Sequence, residues 1–172
     1  GSIGGEGSVK RAKRAAKEEA AMDSSRMFDR AKCGPAAGTI NREDGALNSW
    51  LGMEGESLGE RAAALGDHDA QARLIEKTEA VKRGIDDRLW DDERGLYANR
   101  HWAEGFVSPR PTSFYPLAAG IPDQDRAARL IQHIFDESEF WTAAPLPSIW
   151  LKDPAVNDDV YWRGRMWPPL NF

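Results

Sequence analysis

Two long stretches of helical periodicity separated by almost nothing constrain this chain more than any other feature. From Ala46 to Leu65 the apolar residues Leu47, Leu51, Leu58, Ala62 and Leu65 recur on one helical face, with Glu54 as the interruption. Asp44 is placed to cap the start and Gly66 to close the end. A second helix then opens at Asp67 or Asp69 and runs to about Trp90, with Leu74, Thr78, Val81, Ile85 and Leu89 as its inner stripe. A connection this short forces the two helices into an antiparallel hairpin. Gly52, Gly55 and Gly59 lie inside the first helix. Each costs about 1 kcal/mol relative to Ala, so their presence predicts close packing on another helix or backbone near a ligand.

Past the hairpin, Asp91-Asp92-Glu93-Arg94-Gly95 reads as a turn, followed by short extended pieces at Leu96-Tyr97-Ala98 and Phe106-Val107. A compact helix is expected around Thr112–Ala119, with Pro111 in its first turn, and another from about Asp123 to Phe135. From Glu139 onward Pro145, Pro147, Pro154, Pro168 and Pro169 exclude long regular structure. Short and long connections alternate, which suggests helical hairpins arranged in a toroid whose long loops build a site. Residues 1–8 read as a linker or expression scar and 9–22 as a charged helical leader. Five basic residues between Lys10 and Lys17 allow either a binding arm or a solvated helix.

Composition removes several function classes. Net charge is −5 across 172 residues, against the positive excess that marks a nucleic-acid partner. No stretch approaches the ~18–20 apolar residues of a membrane helix. The single cysteine, Cys33, forms neither an internal disulfide nor a cysteine metal cluster. His68, His101 and His133 are scattered without metal-ligand spacing and read as surface or loop residues. The expectation is therefore no metal, no cofactor, no nucleic acid and no membrane, with the cytoplasm as the expected compartment.

Two loop segments concentrate groups suited to a sugar. One is Met22-Asp23-Ser24-Ser25-Arg26-Met27-Phe28-Asp29, and the other runs from Tyr161-Trp162-Arg163-Gly164 to Trp167 and Asn171. Aromatic faces pack on pyranose C–H faces, while Arg, Asp and Asn hydrogen-bond hydroxyls. These segments, with Asp44-Gly45-Ala46-Leu47-Asn48, Leu89-Trp90-Asp91 to Tyr97, and Ser113-Phe114-Tyr115-Pro116-Leu117, resemble glycoside hydrolase family 63. The trehalases of family 37 are its nearest relatives. The resemblance covers about residues 21–172, with the pieces in the family's order. It implies an all-α, (α/α)6 toroid, of which residues 23–172 form only part, and an inverting, exo-acting α-glycosidase that needs no metal. The substrate would be an α-glucoside or a small glycoside such as mannosylglycerate, glucosylglycerate or trehalose.

Carried onto this sequence, the resemblance puts the general acid at Asp23. It puts sugar-lining residues at Trp162, Arg163, Trp167 and Tyr161, with Arg26 and Asn48 as further substrate-binding candidates. A general acid must stay protonated near neutral pH, and a neighbouring carboxylate such as Asp29 is one way to raise its pKa. An Asp before Ser-Ser also suits an Asx-turn or helix cap, Trp167 a buried aromatic clamp, and Asn48 a helix cap. The sequence departs from the family at Glu19-Ala20-Ala21, where the resembled segment has Ser-Gly before the acid region. The base expected for inversion is a Glu beyond the Trp-Arg-Gly segment. Residues 1–172 are thus expected to be inactive alone and to self-associate or join the missing part of the barrel. The alternative is a non-catalytic carbohydrate-binding or structural helical scaffold.

Overall fold

The computed structural model of the chain describes residues 25–29, 40–144, 146–158 and 160–171. Asp23, Cys33, the linker at 1–8 and the charged leader at 9–22 lie outside these residues. The chain divides into two compact units. One is helical, Asp44–Ala98 with Thr112–His133; the other is loop-rich, Gly1–Glu43 with Asn99–Pro111 and Ile134–Phe172.

The helical unit is built on the expected hairpin, α1 (Gly45–Ala64) and α2 (His68–Leu89). Both starts are capped by aspartates: Asp44 accepts from the Leu47 N–H and Asp67 from the Ala70 N–H, each at 2.9 Å. Gly66 follows α1 with φ +75°, the left-handed conformation expected of a C′ glycine.

The packed face of α1 differs from the one its leucines suggest. Leu47, Leu51, Leu58 and Leu65 are exposed, whereas Gly45, Ser49, Gly52, Gly55 and Gly59 are buried. Small residues at these spacings let α2 approach closely. A Cβ on Gly55 would fall 2.1 Å from Thr78 Oγ1, a distance no packed pair tolerates. Hydrophobic periodicity thus located the helix but assigned its buried face to the wrong side, and the glycines mark the contact. On α2 the expected stripe is the packed one, with Thr78, Ile85 and Leu89 buried. Lys82 of α2 pairs with Glu56 of α1 across the hairpin.

A tight β-hairpin follows. Strand β2 (Trp90–Asp91) pairs antiparallel with β3 (Leu96–Tyr97). Asp91 Oδ1 accepts from the Glu93 and Arg94 N–H groups at 3.1 and 3.2 Å, closing an Asx-turn. Trp90 meets Tyr97 edge-on at 4.9 Å and carries the Arg126 guanidinium over its ring at 4.7 Å. Arg126 also bonds Asp86, which accepts from the Tyr97 hydroxyl. Burial, then Asp86, push the Tyr97 pKa upward, so the phenol remains a donor.

The expected compact helix is a 3-10 turn, Pro111–Phe114, continued by one α-turn, α3 (Tyr115–Ala118). Helix α4 (Gln124–Phe135) begins beside Asp123, which accepts from the Arg126 N–H at 2.8 Å, and buries Leu130 completely.

The loop-rich unit contains a three-stranded antiparallel sheet of two-residue strands in the order β1 (Arg42–Glu43), β4 (Arg100–His101), β5 (Gly105–Phe106). The prolines restrict the remainder to 3-10 turns at Pro154–Asp158 and Pro168–Leu170. Phe28, Phe140, Ile149, Trp162 and Leu170 are buried there. Among the described residues no helix is long and apolar enough to cross a membrane.

Candidate functional site

The described part of the Asp23 segment begins at Ser25 and forms a 3-10 turn, Arg26–Phe28, with the Phe28 N–H donating to Ser25 O at 3.1 Å. Phe28 is 2% exposed and anchors the turn in the loop-rich unit. On either side of that anchor, charged groups alternate. Asp153 receives Arg26 Nε at 3.2 Å, and Arg26 Nη1 reaches Asp29 Oδ2 at 2.9 Å. Asp29 Oδ1 receives Arg163 Nη2 at 2.5 Å, and Arg163 Nη1 reaches Asp158 Oδ2 at 3.1 Å. The order is carboxylate, guanidinium, carboxylate, guanidinium, carboxylate. This ladder ties the residues just after Asp23 to the segment that begins at Tyr161.

Electrostatics in the ladder follow from this pairing. Burial pushes the Asp29 carboxyl upward, but hydrogen bonds from Arg26 and Arg163 outweigh it, leaving its pKa below the ordinary value. Asp153 behaves alike: burial is outweighed by bonds from Ser108, the Ala155 N–H and Arg26. The bond to Asp29 raises Arg26 further. Asp29 is therefore an ionised structural carboxylate whose charge is met by two guanidiniums, which leaves little of its field to raise the pKa of another acid.

The second segment is shaped by backbone constraints. Its Trp-Arg-Gly glycine, Gly164, has φ +99°, and a Cβ there would lie 2.6 Å from Val156 O; only glycine fits. Its N–H donates to Ser148 Oγ at 3.1 Å. Val160 O accepts from the Arg163 N–H at 2.6 Å, curling residues 160–163 so that three aromatic rings gather. Tyr161 and Trp167 centroids are 4.6 Å apart, Trp162 and Trp167 5.3 Å, and Tyr161 and Trp162 5.9 Å. Trp162 is 7% exposed and forms the floor of the group. Tyr161 is exposed and Trp167 half-buried, so these two retain ring surface for a ligand.

The structure thus brings Arg26, Tyr161, Trp162, Arg163 and Trp167 into one unit. Both arginines are engaged in the ladder. Asn48 falls in the helical unit, where its amide donates to the Asp44 carbonyl at 2.7 Å, the capping geometry that its position allowed.

Two residues that sequence reasoning does not single out stand beside the ladder. A cavity of about 140 Å³ is lined by Arg26, Asp29, Arg42, His101, Glu104 and Arg110 among others. His101, expected at the surface, is 2% exposed. Its sequence neighbours carry no sign of this, because its burial comes from pairing in β4 opposite Arg42. Arg42 Nη2 lies 2.8 Å from His101 Nε2. A guanidinium can only donate, so His101 accepts through Nε2 and is the neutral tautomer protonated on Nδ1. Arg110 is 5% exposed and donates from Nη1 to Ser25 Oγ at 3.0 Å.

The chain matches the mannosylglycerate hydrolase MGH1-like glycoside hydrolase domain over residues 2–172. It belongs to that family. A mannosylglycerate hydrolase of Rubrobacter radiotolerans is 33% identical over 139 residues, covering 76% of this chain and 30% of that protein. The family 63 mannosylglycerate hydrolase of Thermus thermophilus, solved with glucose, superposes with a TM-score of 0.66 at 28% identity. That match covers 76% of this chain and 32% of that one. Neutral trehalase from Saccharomyces cerevisiae shares the fold, with a TM-score of 0.62 at 16% identity over 83% of this chain and 27% of that one. The fold is accordingly that of an (α/α)6 glycoside hydrolase barrel, of which the chain is a part. It spans about a third of the length of the two mannosylglycerate hydrolases.

Proposed function

We propose that this chain carries the acid-bearing and sugar-stacking part of an inverting, exo-acting α-glycosidase. Its substrate would be a small α-glycoside such as mannosylglycerate. Asp23 is the general acid that protonates the leaving glycosidic oxygen. Tyr161 and Trp167 receive the C–H face of the sugar over Trp162. Arg26 and Arg163 keep the two segments together through Asp29. The observation that carries this reading is the ladder: residues 134 positions apart, Asp29 and Arg163, are bonded, so the turn that follows Asp23 is fixed beside the aromatic group.

Inversion also needs a carboxylate that activates water, about 6.5–9.5 Å from the acid. We assign that role to a Glu outside residues 1–172, following the family resemblance. The 172-residue chain alone is expected to bind sugar weakly and not to turn over.

The test is Asp23→Asn in the whole protein with mannosylglycerate as substrate. Hydrolysis should fall by roughly 10²–10⁴-fold, the contribution of a positioned general acid. The first sugar product of the unaltered protein, followed by NMR, should appear with inverted anomeric configuration. An Asp23→Asn rate equal to that of the unaltered protein, or a retained anomer, overturns the assignment. Sugar binding without any turnover by the unaltered protein would identify a non-catalytic scaffold instead.

A further inference from the structure

Arg110 sits where the described part of the acid-bearing segment starts, and its surroundings are unusually stiff. It is flanked by Pro109 and Pro111, both fully buried. Proline fixes its own φ and drives the preceding residue to an extended conformation. Pro109 O accepts from the Trp150 N–H at 3.1 Å, and Pro111 opens the 3-10 turn Pro111–Phe114. The backbone that carries the guanidinium is thus held on both sides.

The guanidinium itself is 5% exposed and donates to Ser25 Oγ at 3.0 Å, across 85 residues of sequence. Burying a cation is costly unless its donors are met, so aiming one at a serine hydroxyl calls for a physical reason. Ser25 is 2% exposed and is two residues beyond Asp23. On its other side the chain is already fixed by Phe28 and by the Arg26 bonds to Asp29 and Asp153. Ser25 is therefore the anchored residue next to the acid among those described.

We infer that Arg110 is a positioning residue: by holding Ser25 it sets the direction in which the Asp23 carboxyl points. The inference rests on the reading of Asp23 as the general acid. An acid works only within hydrogen-bond reach of the leaving oxygen. A displacement of about 1 Å costs on the order of 10²-fold in rate.

The experiment compares two substrates of the whole protein that differ in their need for that proton. Mannosylglycerate loses a poorly stabilised alkoxide and requires protonation; α-mannosyl fluoride expels fluoride, which does not. With Arg110→Ala, kcat on mannosylglycerate should fall on the order of 10²-fold, with KM little changed and the fluoride rate retained. Ser25→Ala, which deletes only the acceptor hydroxyl, should show the same split at smaller size. Arg110→Lys should recover part of the loss. Equal losses on both substrates, or an unchanged glycoside rate, overturn the inference. If Arg110→Ala does not fold, Ser25→Ala decides. Asp23→Asn separates the two claims. If it lacks the split, the acid assignment fails. If it shows the split and neither Ser25→Ala nor Arg110→Ala does, only the role of Arg110 fails.

Discussion

The two units of this molecule reach order by different physics. In the helical unit, α1 and α2 are fixed by caps, helix period and a stripe of small residues, all contained in a few turns of sequence. In the loop-rich unit, order comes from proline-limited backbone and from ion pairs between residues 127 and 134 positions apart. The contrast teaches where a functional site can be placed in such a fold. A helix pair positions side chains at repeating intervals, whereas charged groups meeting across long loops can gather unlike chemistries at one point. The cost is that a buried or half-buried carboxylate is stable only while its partners hold it.

That contrast can be broken first at Asp29, the rung bonded to both Arg26 and Arg163. Asp29→Ala takes a partner from two guanidiniums that are each at most about a third exposed. It should destabilise the loop-rich unit by about 3 kcal/mol. Trp102, Trp141, Trp150, Trp162 and Trp167 all belong to that unit, against Trp50 and Trp90 in the helical one. Tryptophan fluorescence should therefore shift to lower denaturant while far-ultraviolet dichroism, dominated by α1 and α2, moves less. A single shared displacement would mean that the units do not differ in this way. Acid gives the same result by another route. The folded Asp29 and Asp153 pKa values lie below their unfolded values. Their contribution is full above the unfolded value near 4 and is lost as pH falls through the folded one. Melts from pH 7 to pH 2.5 should show that loss, and Asp29→Ala should show less of it.

A smaller effect is expected within the helical unit. Gly55→Ala pushes a methyl into Thr78 Oγ1. Overpacking of about 1–3 kcal/mol should exceed the helix-propensity gain of about 1 kcal/mol. The net loss should be seen in the dichroism transition and be relieved by Thr78→Ala in the double variant. If Gly55→Ala raises the midpoint, the close approach of the helices is not what the stripe provides.

The smallest effect has the opposite sign. At Gly52 a Cβ would meet only Lys82 carbons at 3.6 Å, an ordinary contact. Gly52→Ala should stabilise the hairpin by about 0.5–1 kcal/mol, as a rise in the same midpoint. A loss there would show that the whole stripe, not Gly55 alone, is packed to its limit.

What could be read in the sequence follows the same division. Asp44, Asp67 and Gly66 announced the helix ends because caps are local chemistry. The Asp91–Gly95 turn was legible for the same reason, since its bonds close within four residues. The packed face of α1 was not, because Leu47, Leu51, Leu58 and Leu65 dominate any hydrophobic count while the contact is made by glycines. Family motifs pointed to Arg26, Tyr161, Trp162, Arg163 and Trp167, but not to what the arginines do. Nothing near Arg163 in sequence says that its partner is Asp29. His101 and Arg110 went unnoticed because their burial is set by partners 59 and 85 residues away.

The separation of 134 residues between Asp29 and Arg163 has a consequence in time as well as in space. A ribosome adding roughly 5–20 residues per second needs about 7–27 s to travel that far. Both long helices leave the tunnel within this interval, with every group they need for each other already made. The nascent chain therefore carries a finished helix pair and a waiting carboxylate, and the sugar-facing corner closes only when the last arginine arrives.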